Sequence, residues 1–392
     1  MGHVPLVTAA DAAALAAKGA AVLLDVREKS EWAALGVAPG AVLIPRGVLE
    51  REALRALPDK GRTILVYCQM GARSFLAAQA LARLGYTDVR NIAGGFDAWT
   101  AARLPVSRAE DGLSDMERRR YARHLVIPEV GSEGQRRLKQ ARVLLVGAGG
   151  LGSPAAVYLA CAGVGTLGIV DFDDVDESNL QRQILHTPAR VGMRKVESAK
   201  RTLQEMNPLV KVEAFDTRLT SENADQIVPK FDVVVDGADN FPTRYLINDA
   251  CVKHGKPNVH GSVFRFEGQA SVFKRGLSPC YRCLYPEPPP PEMTQSCADA
   301  GVLGVLPGVI GLLQAVEAIK LILGQGDPLY GRLLVYDALA ATFRELKVRA
   351  NPDCQWCAPG RPFPGYIDYA GFCGGVVSDT GANGGSRHAA TG

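Results

Sequence analysis

The stretch "RVLLVGAGGLG" at residues 142–152 decides the fold of the larger part of this chain. An apolar run leads into a glycine-rich turn and then into an alanine-rich segment, which is the order of a strand, a tight turn and a helix. Asp171 closes the next apolar run, "TLGIVDF", where an acid can hold the ribose of a nucleotide. The pattern predicts a nucleotide-binding unit and leaves NAD and ATP open, because both contain a ribose.

The segments after residue 141 predict a doubly wound α/β fold. The apolar runs "RVLLVG", "TLGIVDF", "KVEAFD" and "FDVVVDG" alternate with helical sequence, as the strands of a parallel sheet do. Two later segments, "NVHGSVFRFEGQASVFK" and "RLLVYDALAATFRELKV", alternate apolar and polar residues, which favours an antiparallel extension. We expect a Rossmann-like domain with a C-terminal antiparallel part.

Length, charge and apolar runs indicate the class of protein and its domain organisation. The chain has 392 residues and a net charge of +3, which suits two or three domains and gives no reason to expect a nucleic-acid or membrane partner. Apolar runs such as "GVLGVLPGVIGLL" are interrupted by proline and glycine, so no membrane span is predicted. The N-terminus lacks the pattern of a signal peptide, and we expect a cytoplasmic location. The predicted organisation is a domain at 1–106, a linker at 107–115, a second domain at 116–373 and a disordered tail at 374–392.

A cysteine loop is the main chemical feature of the first domain. In "YCQMGARSFLAAQALA", Cys68 follows a predicted strand and a helix opens near Arg73. Backbone N–H groups and the helix dipole at such a loop stabilise a thiolate or the terminal sulfur of a persulfide. A buried structural cysteine is the alternative. The predicted persulfide loop consists of Cys68, Gln69, Met70, Gly71, Ala72 and Arg73.

Residues 5–106 resemble a single-domain rhodanese. The segments "LLDVREKSEW", "PGAVLIP", the cysteine loop and "NIAGGFDAW" occur in the order and spacing of that family, although "GVAPG" stands where many rhodaneses have Gly-His-Ile before Pro-Gly. The resemblance implies that Cys68 carries sulfur and that Asp25 and Arg27 hold the fold around the loop. Phosphatases of the same fold have a longer loop, so the short loop here favours sulfur.

Polar residues beyond the second and fourth strands of the Rossmann-like domain favour a nucleotide that is cleaved. Asn179, Arg182 and Lys195 follow the second strand, and cations there can stabilise charge on phosphates; a solvated polar loop is the alternative. Asp239 follows the fourth strand, where a carboxylate could hold Mg²⁺. Asp236 lies nearer the strand and is predicted to be structural.

The nine cysteines include two C-x-x-C pairs, Cys280 with Cys283 and Cys354 with Cys357. Four thiolates at this spacing predict a structural Zn²⁺ site; free thiols or a redox disulfide are the alternative. Four further cysteines stand alone in the second domain: Cys161, Cys251, Cys297 and Cys373. Cys297 lies in a long irregular stretch of the type that covers active sites, whereas the helical, apolar surroundings of Cys161 and Cys251 predict core residues.

Residues 114–373 resemble the MoeB/ThiF family. The segments "GAGGLG", "DFDDVDESNLQRQ", "GMRKVESA", "DGADN" and "HGSVFRFEGQ" occur in its order. Members of this ubiquitin-activating-enzyme-like family adenylate the C-terminal Gly-Gly carboxylate of small ubiquitin-like sulfur-carrier proteins. The resemblance implies that the ATP loop is shaped by Gly147, Gly149, Gly150 and Gly152 and that Asp171 binds the ribose. It also implies that the phosphates are bound by Asn179, Arg182 and Lys195, and that Asp239 binds magnesium.

The same resemblance implies a functional homodimer and a second reactive thiol. Arg123, in "RRRYARHL", matches an arginine that reaches the ATP of the neighbouring subunit, and Cys297 matches a cysteine of thioester or acyl-disulfide chemistry. The resulting hypothesis is a sulfur-carrier adenylyltransferase and sulfurtransferase, supplied by thiosulfate or a cysteine desulfurase. Molybdenum cofactor synthesis is one pathway that uses this chemistry; thiamine, cysteine, tRNA thiolation and secondary metabolism are others. The alternatives are a scaffold that recruits a sulfur donor without full catalysis, and an NAD-dependent oxidoreductase.

Overall fold

The structure is a computed structural model that describes residues 4–108, 111–289 and 301–374. The chain divides into two compact units, Met1–Arg136 and Arg137–Gly392, which are described separately below. The predicted limits of 1–106, 107–115 and 116–373 stay a prediction.

The first unit contains a five-stranded parallel sheet in the order β1-β5-β4-β2-β3. Its middle strand β4 is almost wholly apolar, because helices cover both faces of such a sheet. Cys68 follows the carboxyl end of this strand directly. The strands are β1 (Leu6–Val7), β2 (Ala21–Asp25), β3 (Val42–Leu43), β4 (Thr63–Tyr67) and β5 (Val89–Ile92).

In the described residues of the first unit, seven helices accompany this sheet, and a 3-10 turn at Arg46–Val48 precedes the third. The sequence predicts one charged helix from residue 115, whereas the structure has two short helices that meet at Tyr121. The break lets Tyr121 and Leu125 both pack on Ala34. The helices are α1 (Ala9–Ala17), α2 (Lys29–Leu35), α3 (Leu49–Ala56), α4 (Ala72–Arg83), α5 (Gly95–Ala101), α6 (Asp115–Arg120) and α7 (Ala122–Leu125).

The described part of the predicted linker is anchored within the first unit. Ser107 and Val37 exchange backbone hydrogen bonds of 2.8 and 2.9 Å. Further along, the Arg118 guanidinium donates to the carbonyl oxygen of Ala34 at 3.1 Å. These contacts hold Ser107, the first residue of the predicted linker, and Arg118, three residues beyond its end, against neighbouring backbone.

The second unit is built on an eight-stranded sheet in the order β13-β12-β11-β10-β9-β6-β7-β8. The five strands from β8 to β10 are parallel, and β11, β12 and β13 continue the sheet antiparallel. The predicted doubly wound fold with an antiparallel extension is confirmed. The strands are β6 (Arg142–Val146), β7 (Thr166–Asp171), β8 (Lys211–Asp216), β9 (Val233–Asp236), β10 (Asn258–Phe264), β11 (Glu267–Phe273), β12 (Arg332–Asp337) and β13 (Thr342–Lys347).

Helices cover this sheet, and the described part of the unit has 3-10 turns at Glu177–Asn179, Pro188–Arg190 and Val228–Lys230. The first helix, α8, contains the point at which the two units divide. The helices are α8 (Gly131–Gln140), α9 (Gly152–Ala162), α10 (Lys195–Met206), α11 (Ala224–Ile227), α12 (Phe241–His254), α13 (Tyr281–Leu284), α14 (Val305–Leu323) and α15 (Tyr369–Phe372).

Helix α14 includes most of the apolar run that contains proline and glycine. Pro307 lies in its first turn, where the missing N–H group is not needed, so the proline does not interrupt the helix. By length and composition this is a helix that could cross a membrane. In the described structure, however, its Gln314 amide donates to backbone carbonyls of Asp236 and Val259, and Ile310 packs against Gly268. The helix therefore forms part of the core beside the sheet.

The strand order places a switch point beside β6. Its neighbours β7 and β9 are reached by crossovers in opposite directions, which opens a crevice at the carboxyl ends of these strands. The glycine-rich turn, Asp171 and the loop after Asp236 all lie at these ends. The fold thus brings three separate sequence motifs to one edge.

Candidate functional site

The cysteine loop of the first unit wraps around a buried sulfur. Cys68 is 2 % exposed, the Gly71 N–H donates to its Sγ at 3.1 Å, and the Ser74 hydroxyl lies 3.4 Å from the same atom. Gly71 has φ +108°, a conformation that suits glycine and turns its N–H inward. These donors create a small pocket of positive potential around the sulfur.

The loop favours the thiolate form of Cys68. Burial acts against the charge and is the largest single influence, yet hydrogen bonds from Ser74 and from backbone amides of the loop outweigh it and lower the pKa of the Cys68 thiol. The thiolate is the reactive form of cysteine, and the same donors suit a persulfide anion. The geometry therefore supports the reactive interpretation over a purely structural cysteine.

Two ion pairs, Arg27 with Asp25 and Arg73 with Glu31, support the loop. Arg27 and Asp25 are fully buried and joined by a 2.7 Å ion pair, and the Arg27 guanidinium also donates to Gln69 Oε1 at 3.3 Å. Arg73, at the end of the loop, forms two hydrogen bonds of 2.6 and 2.7 Å with Glu31 of α2. The Arg73 guanidinium is thus held by a carboxylate, and the hydrogen bonds to the sulfur come from loop amides and from Ser74 of α4.

The glycine-rich turn of the second unit is shaped by close backbone contacts. A Cβ on Gly152 would lie 1.9 Å from the Gly147 carbonyl oxygen, and one on Gly147 would lie 2.8 Å from the Gly237 carbonyl oxygen. Gly147 also has φ +102°. These glycines bring the turn against the start of α9 and against the loop after β9, so backbone atoms of these segments pack closely at the edge of the crevice.

Asp171 fixes the other side of this turn. Its two carboxylate oxygens accept N–H groups of Ala148 at 2.8 Å and Asp173 at 2.9 Å. Burial raises the pKa of the Asp171 carboxyl, and the nearby Lys195 ammonium opposes that effect. Each carboxylate oxygen keeps a lone pair, which is what binding of ribose hydroxyls requires.

Basic side chains lie around the same turn. Arg182 lies beside Gly150, since a Cβ there would be 3.5 Å from the Arg182 Cγ, and its guanidinium donates to the Ser178 carbonyl oxygen at 3.1 Å. The side chain of Lys195 is 8 % exposed and forms a 2.8 Å ion pair with Asp173. Both predicted cations are therefore close to the elements that surround the crevice.

The side-chain amide of Gln183 is buried next to the turn, and its oxygen has no hydrogen-bond donor among the described residues. Gln183 is 5 % exposed, its Nε2 would lie 3.8 Å from a Cβ on Gly149, and its Oε1 has no partner among the described residues. An unpaired buried carbonyl costs about 1–3 kcal/mol. A ligand N–H or O–H group that reached this oxygen would satisfy it, and a nucleotide carries such groups.

The two acids beyond β9 differ in surroundings. Asp236 is fully buried and forms a 2.8 Å contact with His260 Nδ1, in agreement with a structural role. Asp239 is exposed, and among the described residues one of its oxygens accepts a hydrogen bond, from Asn240 at 3.2 Å. Of the two acids, Asp239 is the one whose carboxylate faces solvent. Asn179 is partly buried, and its Oδ1 accepts from the Asp176 N–H at 3.4 Å.

The two C-x-x-C pairs meet. All four sulfur atoms lie within 4.8 Å of one another, with distances of 3.9 Å from Cys280 to Cys283, 3.7 Å from Cys280 to Cys354 and 3.4 Å from Cys283 to Cys357. Sulfur atoms around a tetrahedral zinc, with bonds of about 2.3 Å, lie about 3.8 Å apart. The cluster fits a zinc site, and Arg282 between the first pair forms two 2.8 Å hydrogen bonds with Asp249 of α12.

The remaining predicted residues have different outcomes. Cys297 lies outside the described residues. Arg123 is exposed on α7 of the first unit. Cys251 is buried as predicted, but the prediction for Cys161 was wrong: it is exposed, because it occupies the outer side of α9.

Sequence reasoning missed three residues that support the site. Ser74 and Glu31 contact the cysteine loop, and His186 contacts the glycine-rich turn. Ser74 lies six residues after Cys68, a spacing that could have suggested a donor in the first turn of the helix. The partners of Glu31 and His186 are 42 and 38 residues away, and no local pattern marks them.

Comparison with known proteins identifies both parts of the chain. The profile of the ThiF family matches residues 121–356, and that of the rhodanese-like domain matches residues 8–102. A solved structure of E. coli MccB with ATP is 22 % identical and covers 64 % of this chain and 77 % of that chain, with a TM-score of 0.56. This likeness supports the fold.

Curated relatives are much more similar in sequence. The sulfur carrier protein adenylyltransferase of Thermus thermophilus is 54 % identical over 65 % of this chain and 96 % of that protein. The probable adenylyltransferase/sulfurtransferase MoeZ of Mycobacterium tuberculosis is 51 % identical over 70 % of each chain. The adenylyltransferase and sulfurtransferase MOCS3-2 of Zea mays is 46 % identical over 88 % of this chain and 74 % of that protein. The predicted resemblances are confirmed: the chain belongs to the ThiF family and carries a rhodanese-like domain at its N-terminal side.

Proposed function

We propose that this protein adenylates the C-terminal Gly-Gly carboxylate of a small ubiquitin-like sulfur-carrier protein and then converts that carboxylate to a thiocarboxylate. The observation that carries this proposal is the presence, in one chain, of a cysteine loop that stabilises a sulfur anion and a glycine-rich crevice bordered by Arg182 and Lys195. The names of the relatives, which combine adenylyltransferase and sulfurtransferase, support it.

The first step activates the carboxylate. A carboxylate oxygen of the carrier attacks the α-phosphorus of ATP, the bond to the β-phosphate oxygen breaks, and pyrophosphate leaves. Arg182 and Lys195 would stabilise negative charge on the phosphates, and Asp171 would hold the ribose. The resulting acyl-adenylate has AMP as a good leaving group, which a free carboxylate lacks.

The second step transfers sulfur. A persulfide on Cys68 attacks the acyl carbon, AMP leaves, and carrier and Cys68 become joined by an acyl disulfide. A second thiolate, for which we propose Cys297, attacks the sulfur of Cys68. The thiocarboxylate carrier is released, and the disulfide left on the enzyme is reduced by two cellular thiols, which leave as a disulfide, before the next cycle.

Two further ligands complete the proposed adenylation site. Asp239 would bind Mg²⁺, because it is an exposed carboxylate at the carboxyl end of β9. Arg123 would contact ATP in the neighbouring subunit, which makes a homodimer the functional state. Both assignments rest on the family pattern in the sequence.

The metal, the location and the pathway are proposals of the same kind. Zn²⁺ at Cys280, Cys283, Cys354 and Cys357 would be structural, because Arg282 and Asp249 link the cluster to α12. We propose a cytoplasmic location. The sulfur donor would be thiosulfate or a cysteine desulfurase, and molybdenum cofactor synthesis is one pathway that could use the product.

The decisive experiment incubates the purified protein with ATP, Mg²⁺, thiosulfate and a carrier ending in Gly-Gly. The expected product is a carrier in which one oxygen has been replaced by sulfur, read by intact mass. Cys68→Ala should keep carrier-dependent pyrophosphate exchange and lose the mass change. Failure of pyrophosphate exchange with carriers from all candidate pathways would favour the scaffold alternative.

A further inference from the structure

His186 is a buried histidine that lies between Arg182 and Lys195 in the sequence. It is 6 % exposed, and its two ring nitrogens contact different elements. Nε2 lies 3.0 Å from the carbonyl oxygen of Ala148 in the glycine-rich turn, and Nδ1 lies 2.9 Å from the hydroxyl oxygen of Ser198. One side chain therefore joins the turn to helix α10.

The contacts define the form of the imidazole. A carbonyl oxygen only accepts, so Nε2 carries the hydrogen and donates to Ala148; Nδ1 then accepts the hydroxyl proton of Ser198. Burial, with smaller contributions from the charges of Lys195 and Arg190, lowers the pKa of His186 to about 4. The ring is neutral at physiological pH, which this pair of opposite roles requires.

Both ends of the bridge reach predicted ATP ligands. Ala148 is held on its N–H side by Asp171 and on its carbonyl side by His186, with an additional 3.2 Å contact from the Ser153 hydroxyl. Ser198 lies on α10, three residues after Lys195, so it lies one helical turn from the lysine.

We propose that His186 is a positioning residue for ATP: it fixes the glycine-rich turn relative to the helix that begins with Lys195. This role rests on the proposed use of ATP. The neutral ring is suited to it because the ring offers one donor and one acceptor on opposite sides in a rigid plane. A primary amide reaches only one of the two partners: Gln places an N–H near the position of Nε2, and Asn places an oxygen or nitrogen near that of Nδ1.

The test compares His186→Gln, His186→Asn and Ser198→Ala in the full-length protein. ATP binding is measured by titration calorimetry, and kcat and KM are measured by pyrophosphate exchange. His254→Gln is the matched control, because His254 contacts Asp225 at the opposite end of α12 from Asp239. Thermal unfolding without nucleotide reports any general loss of structure.

The two substitutions of His186 should differ in their effect on ATP affinity. We expect His186→Asn to weaken ATP binding by about tenfold, the effect of losing one hydrogen bond to the turn, while His186→Gln stays close to wild type in affinity. Ser198→Ala should keep the affinity and lower kcat, since it loosens only the helix that carries Lys195. The control should match wild type in every measurement.

Other results overturn the role. If wild type binds ATP and both His186 variants bind it equally well, the bridge does not position the turn. If both variants lose affinity in parallel with their unfolding temperature, His186 is merely structural. A wild-type protein that binds no ATP would instead overturn the proposed function together with this inference.

Discussion

The hydroxyl of Ser74 offers a direct test of how the loop activates Cys68. This group has one proton and three acceptors within reach: Cys68 Sγ at 3.4 Å, the Gly71 carbonyl oxygen at 3.0 Å and Asn91 Oδ1 at 2.7 Å. Ser74→Ala removes the donor and disfavours the thiolate, so the pKa of Cys68 rises. Asn91→Ala removes the nearer of the two competing acceptors, makes the proton more available to the sulfur and has the opposite effect.

The size of the effect follows from the shared proton. A hydrogen bond to a charged group is worth about 1.5–3 kcal/mol, and about 1.4 kcal/mol corresponds to a factor of ten. Because the proton is shared with a nearer oxygen, only part of this energy acts on the sulfur. At a fixed pH below the thiol pKa, we expect the thiolate population of Ser74→Ala to fall by about three- to tenfold.

The assay follows the pH dependence of Cys68 labelling by a small electrophile, read by peptide mass spectrometry. The labelling curve of Ser74→Ala should move to higher pH and that of Asn91→Ala to lower pH. Cys161 serves as the reference within each sample, because it is exposed and its curve should not move. An unchanged Ser74→Ala curve, or two variants displaced in the same direction, would refute the reasoning.

Three further predictions concern the second unit. Cys354→Ser should lower the bound zinc, measured by metal analysis, and lower the unfolding temperature, because three thiolates leave a tetrahedral site incomplete; Cys161→Ser should change neither. Gly152→Ala should abolish ATP binding in calorimetry, because its Cβ would lie 1.9 Å from the Gly147 carbonyl oxygen, and normal binding would contradict this geometry. The pKa of His186 falls from 6.5 to about 4 on folding, so between these values the unfolded chain binds the extra proton and the free energy of unfolding decreases as pH is lowered. In urea unfolding at a series of pH values, His186→Gln should lack this component, and identical pH profiles would refute it.

Local sequence patterns were sufficient for the main features of each unit. The glycine-rich turn, the alternation of strands and helices and the two C-x-x-C pairs depend on residues close together in the chain. Steric and hydrogen-bonding rules of the backbone act over the same short distances, so such patterns predict local structure well. The exposure of single residues was harder to predict. Cys161 and Cys251 both lie in apolar helices, yet only Cys251 is buried. The sequence of a helix does not show which of its faces packs against another element.

The sequence by itself determined the family, and it predicted the two loops and the candidate residues for ATP and metal. The tertiary structure decided how those residues are supported: Glu31 holds Arg73, His186 holds Ala148, and the first C-x-x-C pair meets the second. These pairs are separated by 42, 38 and 74 residues. Only the order of strands in the sheets and the packing of helices on them bring such residues within hydrogen-bonding distance, and neither is encoded in a local period or spacing.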